Sequence, residues 1–76
     1  MTYHVHAEWD AEASVWVATS EDVPGLATEA ATIEQLTEKL HVMVPELLEA
    51  NGIQISPKKV DFELTSRRHE LVQRAS

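Results

Sequence analysis

Residues 15–52 read VWVATSEDVPGLATEAATIEQLTEKLHVMVPELLEANG. Val15 to Thr19 is a short apolar run suited to a strand, and Ser20-Glu21-Asp22 stops it. Val23-Pro24-Gly25 reads as a turn on chemical grounds: proline sets φ, and glycine accepts positive φ. Leu26 to Ala30 makes another short strand. Thr32 then caps a helix, and Gln35 three residues on completes a capping box. Ile33, Leu36, Leu40, Met43, Val44, Leu47 and Leu48 fall within roughly 140° of a helical wheel, one core-facing stripe. Glu34, Glu38, His41, Pro45 and Glu49 lie on the opposite side. Proline inside a helix removes one hydrogen bond and crowds the carbonyl four residues back, here that of His41. Water satisfies that carbonyl on a wet face, so a kinked rather than broken helix is expected. Gly52 is placed to stop it in the left-handed conformation.

Working outward, Tyr3, Val5, Ala7 and Trp9 alternate with His4, His6 and Glu8, the period of a half-buried strand. The short link Asp10 to Ala13 implies an antiparallel hairpin with the strand at Val15. A five-residue loop pairs Trp9 with Val15 and Ala7 with Val17, whereas a four-residue loop pairs Ala7 with Trp16. The first register is preferred, because it puts both valines on the face of Tyr3, Val5 and Trp9 and leaves Trp16 on the other. Past the helix, a loop over Ile53 to Pro57 leads to Val60-Asp61-Phe62-Glu63-Leu64, which alternates again as a fourth strand. It is expected to lie parallel to the first. Residues 1–65 form the domain and 66–76 a basic tail, in which Leu71, Val72 and Ala75 suit one or two amphipathic turns. The fold class is α+β, in the order β-β-β-α-β, with one helix on one sheet face.

The chain has 76 residues, enough for one small domain with a marginal core, so self-association is a reasonable default. Without cysteine it has neither disulfides nor thiolate metal sites. No stretch resembles a membrane span or a signal peptide, and a cytoplasmic protein is expected. The net charge is −7 and lopsided: residues 1–50 hold ten carboxylates against Lys39 alone, while residues 51–76 carry +2. An acidic body repels nucleic-acid phosphate and attracts a basic partner.

Several residue clusters bear on chemistry. His4-x-His6-x-Glu8 offers zinc-type ligands along one strand face, needing a further group such as His69. A polar solvated face is the simpler reading, and no metal or cofactor is expected. Asp10, Glu12, Glu21 and Asp22 sit at strand ends without converging as a metal-dependent nuclease requires. Ser14, Ser20 and Ser56 lie in turns, none in a nucleophile elbow, so no catalytic residue is assigned. Trp16, if on the open face, would be an exposed binding anchor. The Arg67-Arg68 tail could touch RNA or phosphate or pair with the acidic body of a second subunit, and a solvated segment is the simpler reading.

The chain resembles HicB-type antitoxins. Val15-Trp16-Val17-Ala18 matches the family's second strand, Glu21-Asp22-Val23-Pro24-Gly25-Leu26 its turn, and Thr32-Ile33-Glu34-Gln35-Leu36 its helix opening. The similarity covers roughly residues 3 to 65. It departs at the first hairpin, where members carry a glycine and this chain has Ala11-Glu12-Ala13. The resemblance implies a partial ribonuclease H-like fold without nuclease activity. It also implies an acidic partner for a small basic toxin that cleaves messenger RNA, often as a dimer or larger. The match is to short, single-domain variants, so autorepression through a C-terminal DNA-binding domain is not expected. The candidate partner-binding residues are His4, His6, Glu8, Trp16, Glu21 and Asp22. The competing expectation is a stand-alone homo-oligomeric module with no toxin.

Overall fold

The structure is a computed structural model that describes residues 2–54 and 59–75. Five elements follow one another: β1 (Thr2–Asp10), β2 (Val15–Thr19), β3 (Ala27–Ala30), α1 (Ile33–Ala50) and β4 (Asp61–Arg67). The strands form one mixed sheet in the order β3-β2-β1-β4. β1 pairs antiparallel with β2 and parallel with β4, and β2 pairs antiparallel with β3. The α+β class and the parallel placement of the last strand agree with the sequence reading. Most of the loop expected over Ile53 to Pro57, with Ser56, lies outside the described residues.

The hairpin register corrects the sequence expectation. Trp9 pairs with Trp16, Ala7 with Ala18 and Glu8 with Val17. Trp16 therefore shares the helix-side face with Trp9, and Val15 and Val17 turn to the open face. The turn, Ala11 to Ser14, is closed by Asp10, whose Oδ1 accepts from the amides of Glu12 at 3.1 Å and Ala13 at 3.2 Å. Ser14 takes the left-handed conformation, φ +55°, that glycine usually supplies. The side chains under the helix explain why this register wins. Ala7, Ala18 and Ala30 are buried together beneath Leu36, Leu40, Val44 and Leu48. Short residues on the sheet let long ones on the helix descend close to it. A slip bringing Val17 under the helix would overfill that space. The tryptophans meet edge to face, centroids 5.4 Å apart, partly buried beside this core.

The helix ends are set by local chemistry. Thr32 Oγ1 accepts from the Gln35 amide at 3.1 Å. At the other end the Ile53 amide donates to the Leu48 carbonyl and the Gly52 amide to the Glu49 carbonyl, with Gly52 at φ +72°. This pair of bonds is a Schellman stop. The helix runs unbroken through Pro45. His41, exposed as expected, nonetheless sets its ring edge-on against Phe62 at 5.6 Å.

Several strand boundaries differ from expectation: β1 extends to Thr2 and Asp10, and β4 begins at Asp61 rather than Val60. β3 begins at Ala27, leaving Leu26 to pack its side chain into the core. β4 runs on to Arg67, so Ser66 and Arg67 belong to the sheet and pair with Ala7 and Glu8. Beyond them, residues 68–75 are exposed and form no helical turn. A compact domain of this length has a radius of gyration of about 11 Å. The observed value is 14.8 Å, which fits a tail projecting from the body.

Fully buried Leu40 is a sensitive reporter of the helix-sheet contact. Leu40→Ala is expected to lower the unfolding free energy by about 2–5 kcal/mol in chemical denaturation. Ser14→Gly is expected to raise it by on the order of 1 kcal/mol, since it relieves the left-handed strain.

Candidate functional site

The helix lies on one side of the sheet, so the other side is open. On it β1 presents Thr2, His4, His6, Glu8 and Asp10, and β4 presents Asp61, Glu63, Thr65 and Arg67 beside them. β2 adds Val15, Val17 and Thr19, and β3 adds Ala27 and Glu29. Val15 and Val17 are half-buried on this face, whereas His4, His6, Glu8 and Asp10 are exposed. The face thus has a small apolar strip on β2 bordered by carboxylates. A shallow groove between β1 and β4 is lined by His6, Glu8, Thr65 and Arg67.

Of the six residues singled out from sequence, His4, His6 and Glu8 do lie together on the open face. Asp22 joins them through His4, and Glu21 is an exposed loop residue beside it. Trp16 does not join them, for the register reason above. Glu63, Thr65, Arg67, Val15 and Val17 complete the face and were missed. The alternation of Asp61, Glu63, Thr65 and Arg67 was the available signal for the first three.

The loop from Ser20 to Leu26 is anchored to β1 by its own side chains. Pairing between β1 and β2 ends at His6 and Thr19, leaving the backbone groups of His4 on that side without a strand partner. The His4 amide donates to Asp22 Oδ2 at 2.7 Å, and the Ser20 hydroxyl donates to the His4 carbonyl. Ser20 Oγ also accepts from the amides of Asp22 at 3.0 Å and Val23 at 3.1 Å. Ser20 and Asp22 therefore extend the ladder where β2 has stopped. They hold Val23 and Leu26 in the core, while Gly25 at φ +76° closes the turn through the Leu26 amide and the Val23 carbonyl.

The His4 ring nitrogen Nδ1 also meets Asp22 Oδ2, at 3.0 Å. Asp22 is held below its ordinary value of 3.8, chiefly by the His4 amide and next by the His4 ring. Partial loss of hydration opposes this shift, and the nearby imidazoles of His4 and His6 add to it. An acid beside an imidazole suggests acid–base chemistry. The neighbouring Ser20 hydroxyl, however, is committed to three backbone groups. The arrangement anchors a loop. Among the described residues, no three His, Asp or Glu side chains gather closely enough to hold a metal ion.

At the far end of β1, Arg68 stacks over the Trp9 ring at 4.2 Å and pairs with Glu70. Arg68 is exposed, as the solvated reading of the tail expects, and it also caps an aromatic of its own chain.

A four-stranded mixed sheet with one helix on one face and an anchored Pro-Gly loop defines a small α+β domain. The chain belongs to the family described as a domain of unknown function, DUF1902, whose model matches residues 2–74. It is similar to the crystal structure of the hypothetical protein TTHA1013 from the extremely thermophilic bacterium Thermus thermophilus. Identity is 53%, the TM-score is 0.73, and the match covers 96% of this chain and 99% of that one. No curated protein matches the chain. Among the described residues, no helix is long and apolar enough to cross a membrane.

The low Asp22 value has a definite sign for stability. A depressed folded-state value stabilises the fold above the ordinary carboxylate value, and that contribution is lost as pH falls through the lowered one. Asp22→Asn keeps the shape but not the charge. The gap in melting temperature between wild type and Asp22→Asn is expected to be widest well above the ordinary value of 3.8. It should close on acidification below that value, as thermal melts across the range will register.

Proposed function

We propose that this chain is a non-enzymatic binding module of the HicB antitoxin kind, with the partial ribonuclease H-like fold that the resemblance implies. Its open sheet face would mask a small basic toxin that cleaves RNA. The observation that supports this reading is the composition of that face. Its strands carry Glu8, Asp10, Glu29, Asp61 and Glu63 against a single cation, Arg67. At its middle, Val15 and Val17 supply apolar surface of the kind that centres a protein interface, with a charged rim around it. The tryptophan first assigned this anchoring role gives way to these valines. A face with this charge repels RNA and draws a cationic protein, accelerating encounter and making it sensitive to salt.

The test is co-expression with any short basic protein encoded by an adjacent reading frame, followed by binding measurements at several salt concentrations. Paired replacement Glu8→Lys with Glu63→Lys is expected to weaken association by about tenfold or more, chiefly through slower capture. Val17→Asp should weaken it as well. Trp16→Ala should lower thermal stability and leave the affinity of the folded protein close to wild type. Failure to bind any basic neighbour at low salt, or equal binding by the Glu8/Glu63 variant, would overturn the proposal.

A further inference from the structure

The two edges of the sheet, β3 and β4, are unlike. β3 has four residues, and Lys39 from the helix donates to the Glu29 carbonyl within it. Short length and a lysine are ordinary ways of blunting an edge. β4 has seven residues and contains neither proline nor lysine. Its outward groups follow from the ladder. His4 turns its amide and carbonyl toward the β2 side, so Tyr3, Val5 and Ala7 face β4. In a parallel pair each of these bonds the residues flanking its partner. Asp61, Glu63, Thr65 and Arg67 are therefore engaged with β1, and the backbone groups of Phe62, Leu64 and Ser66 point outward. A long edge of this kind is a template for another strand.

The charge order along β4 identifies that strand. On the open face the edge reads Asp61, Glu63, Thr65, Arg67, acid at the start and cation at the end. A second β4 running antiparallel, with Leu64 opposite Leu64, pairs the whole length and sets Asp61 against Arg67 twice. A parallel alignment through the same free edge would turn the second copy over, putting its helix on the opposite side and the charged side chains of one copy level with Phe62 and Leu64 of the other. The helix-side face agrees. α1 approaches β3 and β2 more closely than β4, so Phe62 and Leu64 are only half-buried. Antiparallel pairing about Leu64 brings these apolar side chains from two copies together on the same side.

We infer that two copies of this chain join β4 to β4, antiparallel about Leu64, into one continuous sheet with both helices on the same side. The seam lies at an edge rather than on the open face. It therefore does not depend on the toxin-binding reading, and it merges the two open faces into one larger acidic surface.

The test uses the full chain in sedimentation equilibrium, with circular dichroism confirming that each variant is folded. Arg67→Asp places two carboxylates at each charged contact, and Asp61→Arg places two cations there. Each is expected to weaken dimerisation by about tenfold. The swap Asp61→Arg with Arg67→Asp restores opposite charges and should return affinity to within about threefold of wild type. Asp61 also accepts from the Thr2 hydroxyl at 2.9 Å, a loss common to the single Asp61→Arg and the swap. Amide hydrogen exchange supplies an independent reading, because the outward amides of Phe62, Leu64 and Ser66 should be protected in the dimer and exposed in Arg67→Asp. A monomer at all concentrations to about 1 mM would overturn the inference. So would a dimer whose outward amides exchange freely, folded single variants that dimerise like wild type, or a swap that fails to restore affinity.

Discussion

A single helix can cover only one face of a four-stranded sheet, and the rest of this structure follows from that constraint. Leu36, Leu40, Val44 and Leu48 supply the apolar stripe, and the sheet answers with Val5, Ala7, Ala18 and Ala30. The alanines matter as much as the leucines. They are the positions at which large side chains would hold the helix off, and close packing is what a chain of 76 residues depends on for stability. Having committed its apolar residues to one face, the chain leaves the other to carboxylates, imidazoles and two valines.

The same economy explains the loop between β2 and β3. β1 is nine residues long and β2 five, so part of β1 outruns its antiparallel partner. Unpaired backbone groups there would weaken the sheet margin. Ser20 and Asp22 satisfy them with side-chain oxygens, and Val23 and Leu26 fill the adjacent core. A stretch that reads as a polar interruption is a structural splice. Its carboxylate contributes charge at the border of the open face while holding the Pro-Gly turn in place.

Elements with strong local signals were legible in the sequence. Thr32 and Gly52 bounded the helix because capping is decided within a few residues. Gly25 marked its turn because few other residues adopt positive φ. The acidic open face was partly legible: His4, His6 and Glu8 alternate visibly with buried neighbours. The hairpin register was not. Preference for burying valine misassigned it, because the choice rested on the space beneath a helix that arrives later in the chain. Its turn was disguised as well, being closed by the Asp10 side chain and a left-handed Ser14 in place of glycine. That one slip moved Trp16 to the wrong face and hid Val15 and Val17 from the list of candidate contacts.

The sequence by itself determined the element order, the helix and its ends, the acid-rich body and the absence of cysteine chemistry. These depend on composition and on interactions a few residues apart. Only the tertiary structure decided which side chains share a face, that Asp22 anchors His4, that Arg68 caps Trp9, and that β4 lies at an edge with its charges ordered from acid to base. Each of these joins residues far apart in the chain. Strand pairing has a period of two, so a shift of one residue exchanges the faces, and only packing against the whole core selects between them.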